Sequence, residues 1–198
     1  MATYSKTNGL TLFALGSVAA SSVGLGAPVD VSTKMGGLVY PRFGRRSATA
    51  ATAGCNIRLE ASDSATLDNS WFPFCVFTSD FAACIANAVL GTVLAGTNVI
   101  TTASTASLSI GDLMYIDNTV IASSEWGRVK SFVANTSITL EDNLINAQTG
   151  STFYNLSEIY SPIAIPEGAM RIRAVIDASQ FTQACAAQVL YSTIDGFA

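Results

Sequence analysis

The chain has 198 residues, 49% of them hydrophobic and only 12% charged, with a net charge of -4. That length can bury a proper core, but so few charges leave little of the polar surface that keeps a free monomer soluble. The negative balance argues against nucleic-acid binding through overall charge. The absence of histidine excludes Ser-His-Asp and Cys-His catalysis and every His-containing zinc site.

The first apolar stretch, "LTLFALGSVAASSVGLGA" from Leu10 to Ala27, has the outline of a secretory signal. Its single preceding lysine and its Ser and Gly content favour instead a segment that packs on the body or on a neighbouring subunit. Residues 1–26 are therefore expected as an N-terminal arm. From Ala27 onward short strands alternate with Gly, Pro, Asn and Asp. "GGLVYPRFG" reads as an edge or bulged strand because of Pro41. "GCNIRLEAS" alternates cleanly, with Asn56, Arg58 and Glu60 on one face and Cys55, Ile57, Leu59 and Ala61 on the other. "WFPFCVFTS" is aromatic and β-branched, hence strand-like. "SDFAACIANAV", capped by Ser79 or Asp80, is the one expected helical piece.

The middle of the chain shifts to Thr, Ser, Ala and Gly with short apolar strands. Asn135 falls in a compact hairpin turn between "RVKSFVA" and "SITL". In the last quarter, "PEG" makes a turn at Pro166–Gly168 before a strand from Met170 to Ile176. Arg171, Arg173 and Val175 share one face of it, and Met170, Ile172, Ala174 and Ile176 the other. The expected fold class is all-β with little helix: a discontinuous β-sandwich over residues 27–88 plus 157–198, with a small barrel-like β-module, residues 89–156, inserted between them.

Cys55, Cys75, Cys84 and Cys185 form no C-x-x-C pair, so neither a zinc ribbon nor a redox motif is indicated. Each lies in an apolar run, where cysteine acts as a small core hydrophobe. One or two disulfides remain open, with three connectivities if all four pair.

"GDLMYIDNTVIASSEWGRVKS", Gly111 to Ser131, concentrates the candidate chemistry. A calcium site could draw on Asp112, Asp117, Asn118, Glu141, Asp142 and Asn143, but the spacing fits no EF-hand loop. Asp and Asn at strand ends are ordinary turn formers. A glycosidase would need Asp112 or Asp117 to meet Glu125 across a hairpin at a suitable separation, and Trp126 could offer a sugar-stacking face. Without histidine or a second motif, the acids read as turn chemistry, with Glu125 and Arg128 pairing locally or across a subunit boundary.

"VDVSTKMGGLVYPRFGRR", "WFPFCVFTSD", the Gly111–Ser131 stretch with "SITLEDNL" and "AQTG", and "IPEGAMRIRAVIDA" occur in an order that resembles virion structural proteins of tailed bacteriophages. The nearest types are the small β-rich proteins that decorate the head or form the neck and collar. The resemblance covers most of the chain from Val29, through loose compositional motifs rather than a catalytic signature. It implies a structural homo-oligomer in the virion, assembled in the host cytoplasm. Its partners would be copies of itself and other virion proteins, with no enzyme activity, cofactor, metal, nucleic acid or membrane. Low-charge interfaces are anchored by aromatic and arginine side chains. The expected subunit contacts are therefore Arg42, Phe43, Arg45, Arg46, Trp71, Trp126 and Arg128. The alternative is a receptor- or glycan-binding β-module of a phage tail or cell-surface protein.

Overall fold

The computed structural model describes residues 4–197. In chain order the strands are β1 (Tyr4–Val18), β2 (Val23–Leu25), β3 (Val29–Asp30), β4 (Gly36–Arg45), β5 (Asn56–Ser62), β6 (Trp71–Thr78), β7 (Ala86–Ala88), β8 (Thr92–Val93) and β9 (Val99–Thr101). There follow β10 (Leu113–Asp117), β11 (Glu125–Val133), β12 (Ser137–Leu140), β13 (Gln148–Thr149), β14 (Thr152–Tyr154), β15 (Glu158–Ile159), β16 (Ile163–Ala164), β17 (Arg171–Asp177) and β18 (Cys185–Phe197). The fold is all-β; its one helical element among the described residues is a 3-10 turn, Ile121–Ser123.

Two five-stranded antiparallel sheets face each other. The first runs β1-β18-β4-β15, with β16 also on β4; the second runs β2-β17-β5-β6, with β3 also on β17. Period-two alternation explains what lies between them. Ile57, Leu59 and Ala61 of β5 and Ile172, Ala174 and Ile176 of β17 are fully buried, facing Val39, Phe43 and Val189 of the first sheet. The segment expected as an arm supplies β1 and β2, a strand of each sheet, and Leu12 and Val18 enter this core.

The six-stranded sheet β7-β14-β10-β11-β12-β9 curls into a half-barrel. It encloses a second cluster in which Ile100, Met114, Ile116, Val129, Ile138 and Phe153 are fully buried. The hairpin turn joining β11 to β12 holds Asn135 at a φ of 51°, the left-handed region that asparagine tolerates.

The expected helix at Ser79–Val89 is absent. Its backbone is committed to distant partners: Phe81 accepts from the Ala51 N–H at 2.9 Å, and the Cys84 N–H donates to Ala48 at 3.0 Å. Asp80 bends the chain further by accepting from the Ala82 N–H at 2.7 Å. A stretch this short gains too little from helical bonds to compete. Its end joins the half-barrel as β7.

All four cysteines are free thiols. Cys55 and Cys185 meet across the sandwich core with sulfurs 4.0 Å apart, the spacing of packed thiols rather than of a bond.

Candidate functional site

Of the residues singled out by sequence, Arg42, Phe43, Arg46, Asp117 and Trp126 meet at the contact between half-barrel and sandwich. In β10, Met114 and Ile116 point into the half-barrel core, so alternation turns Tyr115 and Asp117 towards the sandwich. Trp126 of β11 sits directly opposite Tyr115 in register, their ring centroids 5.0 Å apart. On the sandwich side the receiving strip is "RFGRR", Arg42 to Arg46, at the end of β4.

The positions of that strip differ in their tasks. The guanidinium of Arg42 lies over the Trp126 ring at 5.8 Å. The Phe43 carbonyl accepts the Trp126 indole N–H at 3.0 Å, while the Phe43 ring points into the sandwich core, edge-on to Phe181. Gly44 lies under the Tyr115 ring so closely that a β-carbon there would come within 2.6 Å of it. Arg46 donates Nε to Asp117 Oδ2 at 2.9 Å. Burial pushes the Tyr115 hydroxyl up to about 12. Burial works against the charge of Arg46, but the bond to Asp117 and its negative charge leave the pKa raised.

Arg45 points the opposite way. It is fully buried and donates to the carbonyls of Asp80 at 3.1 Å, Thr49 at 2.9 Å and Ser47 at 3.4 Å, with Phe181 under its guanidinium. It therefore ties the loop after β4 to the loop after β6. Phe43 and Arg45 present no surface to a second subunit, which corrects their expected role: odd positions of β4 face inward. Arg42, Arg46 and Trp126 each have a partner within the chain. Arg128 is the exposed member, donating to the Gly111 carbonyl at 2.6 Å, with Glu141 at 3.8 Å.

Trp71 lies on the outer face of the second sheet, apart from this strip. Arg173 and Arg171 stack on it at 4.2 and 4.9 Å. Glu60 accepts from Arg173 at 2.7 Å and from Arg58 at 2.6 Å, and Arg171 fastens the Ser64–Asp68 loop.

The acids of Gly111–Ser131 are occupied one by one. Asp112 Oδ2 accepts from the Ser109 N–H at 3.0 Å, a local turn bond. Glu125 accepts from the N–H groups of Ile145 and Asn146 at 2.8 and 3.1 Å and from Gln148 Nε2 at 2.8 Å. Asn118 joins the same network through Gln148 Oε1 at 3.0 Å. Glu125 is thus an anchor for the loop after β12, bonded to three donors, rather than an acid facing a cleft. Among the described residues no three His, Cys, Asp or Glu side chains cluster to hold a metal ion.

Sequence reasoning missed Gly44, Tyr115 and the Arg46–Asp117 pair. The signals were present: a glycine inside a strand marks a close approach, and "LMYID" places an aromatic and an acid on the face away from Met114 and Ile116. No protein-family model matches the sequence, and no curated protein matches it.

Proposed function

We propose that the chain is a structural component of a tailed-phage virion, of the head-decoration or neck-and-collar type, that packs as a homo-oligomer and braces the particle. The observation that carries this reading is the scarcity of charge along the open edges of the sandwich, where Lys6 near the start of β1 is the one charged residue on β1 or β6. β1 and β6 end their sheets, leaving a row of backbone N–H and C=O groups without strand partners. No charged residue occurs between Lys6 and Asp30, or between Asp68 and Asp80. Natural edge strands usually carry charges that block further pairing. Here Val23, Leu25, Phe72 and Val76 are instead 57, 60, 44 and 51% exposed on or beside those edges. Neighbouring subunits are the natural cover for such surfaces.

The virion setting rests on the order of motifs along the sequence and the all-β fold that accompanies it. The glycan-binding alternative is less well supported, because stacking onto a sugar needs a free indole face. Arg171 and Arg173 lie over Trp71, and Arg42 and Tyr115 pack on Trp126.

Light scattering and negative-stain electron microscopy of the purified chain, alone and mixed with phage particles, test the proposal. A ring or a particle-bound state is expected. A monodisperse monomer without affinity for any virion component would overturn it, and specific glycan-array binding lost in Trp126→Ala would favour the alternative.

A further inference from the structure

Arg42 is the one arginine among the described residues that the chain leaves without an acceptor. Arg46, Arg58, Arg171 and Arg173 bond carboxylates, while Arg45 and Arg128 bond carbonyls. Among the described residues the Arg42 guanidinium has neither an ion pair nor a hydrogen bond, and its Nε is buried without a partner. Desolvation lowers its pKa. A half-buried guanidinium in this state is stabilised by any anionic group that reaches it.

On the same face Gln188 lies opposite Arg42 in register, and beyond it the surface is mostly apolar. Arg42 projects from the outer face of the first sheet, next to the half-barrel wall at Trp126. Along the same face of β4 lie Tyr40 and Leu38, flanked on β18 by Leu190 and Ile194. Leu38, Ser192 and Ile194 line a shallow groove of about 410 Å³ whose far end is Lys6. At roughly 3.3 Å per residue, Arg42 stands about 13 Å from Leu38. The face is therefore apolar in the middle and cationic at both ends.

A complementary surface exists on the same chain. The loop after β12 exposes Glu141, Asp142 and Asn143, and then Ile145, which is 81% exposed. Asp142 has no hydrogen-bond or ion-pair partner among the described residues, whereas Glu141 is already near Arg128. Glu125 holds the Ile145 and Asn146 N–H groups, so the loop is shaped in advance, which lowers the entropic cost of docking. Between Asp142 and Ile145 the Leu144 side chain is buried in the half-barrel core and its N–H donates to the Thr97 carbonyl at 2.8 Å, which holds the two exposed side chains in place.

We infer that the outer face of the first sheet between Lys6 and Arg42 receives the Asp142–Ile145 loop of a second copy, with Asp142 on Arg42 and Ile145 in the groove. This rests on the reading that the chain assembles with itself, and it names the contact.

Sedimentation velocity of the full chain is the test, with thermal melting as the check on folding. Arg42→Glu and Asp142→Arg should each weaken association roughly tenfold or more, and the double exchange should restore it. Ile145→Ser, at a site too exposed to matter for folding, should weaken association while leaving the melting curve unchanged. Undiminished assembly in folded Arg42→Glu and in Ile145→Ser would overturn the inference and leave the assembly reading intact. Weakening without rescue in the double exchange would overturn the loop as occupant and point to a different partner. A wild-type chain that stays monomeric at tens of micromolar would remove the assembly reading itself.

Discussion

The indole N–H of Trp126 in β11 donates to the backbone carbonyl of Phe43 in β4 across 3.0 Å. That bond joins a strand of the half-barrel to a strand of the sandwich, and Tyr115 on Gly44 and Asp117 on Arg46 lie beside it. The two hydrophobic cores are thus braced by one aromatic pair, one glycine and one ion pair. An aromatic and arginine strip of the kind expected between subunits works here within a single chain.

Trp126→Phe keeps the ring stacked on Tyr115 and removes the donor, leaving the Phe43 carbonyl without it. A loss of about 1 kcal/mol is expected. Trp126→Ala also empties the space between half-barrel and Arg42, and should cost about 3 kcal/mol. Urea unfolding followed by fluorescence of Trp71 measures both. If the two variants were equally stable, the ring would contribute nothing to the junction.

Gly44→Ala tests the closeness of the same contact. The new methyl would lie 2.6 Å from the Tyr115 ring, so the half-barrel must shift away from β4. Overpacking of this kind costs about 1–3 kcal/mol. Gly44→Ala combined with Tyr115→Ala should be less destabilised than the sum of the single changes, because each relieves the other.

Much of this architecture was legible in the sequence wherever one face of a strand is apolar and the other is not. Alternation in "CNIRLEA" and "MRIRAVI" correctly divided Ile57, Leu59, Ile172 and Ala174 from Arg58, Glu60, Arg171 and Arg173, and the Asn135 turn was readable from its flanks. Alternation loses its meaning where both faces are covered. β10 is such a strand: Tyr115 and Met114 are both fully buried, one against the sandwich and one in the half-barrel. Arg45 escaped for a different reason. A fully buried arginine is uncommon, and only the positions of the carbonyls of Ser47, Thr49 and Asp80, set by the tertiary fold, make its burial tolerable. Nor could charge counting distinguish a contact within the chain from one between copies, because both select aromatic and arginine residues.

Glu125→Ala should loosen the loop after β12. It deprives the Ile145 and Asn146 N–H groups and Gln148 Nε2 of their acceptor, at an expected cost of about 1–3 kcal/mol. Hydrogen exchange should accelerate at Ile145 and Asn146 before it does in β5 or β17. Glu125→Gln keeps an acceptor oxygen and should lie between wild type and alanine.

Asp195 supplies a dependence on pH with a defined sign. Its carboxylate accepts from Thr7 Oγ1 at 2.6 Å, Thr193 Oγ1 at 2.8 Å and Lys34 Nζ at 2.9 Å, tying β1 to β18 and to the turn before β4. The Thr7 bond foremost, then those from Lys34 and Thr193, hold its pKa down to about 2, from an ordinary value of 3.8. A carboxyl depressed in the folded state contributes its stabilisation in full above 3.8, and that contribution is lost as the pH falls towards 2. The β1 end near Thr7 should therefore open as the pH falls from 4 to 2, seen as faster hydrogen exchange there than in the β4–β18 pairing. Asp195→Asn should weaken this end at neutral pH and remove the acid-induced change. If the variant showed the same opening between pH 4 and 2, the titrating group would lie elsewhere.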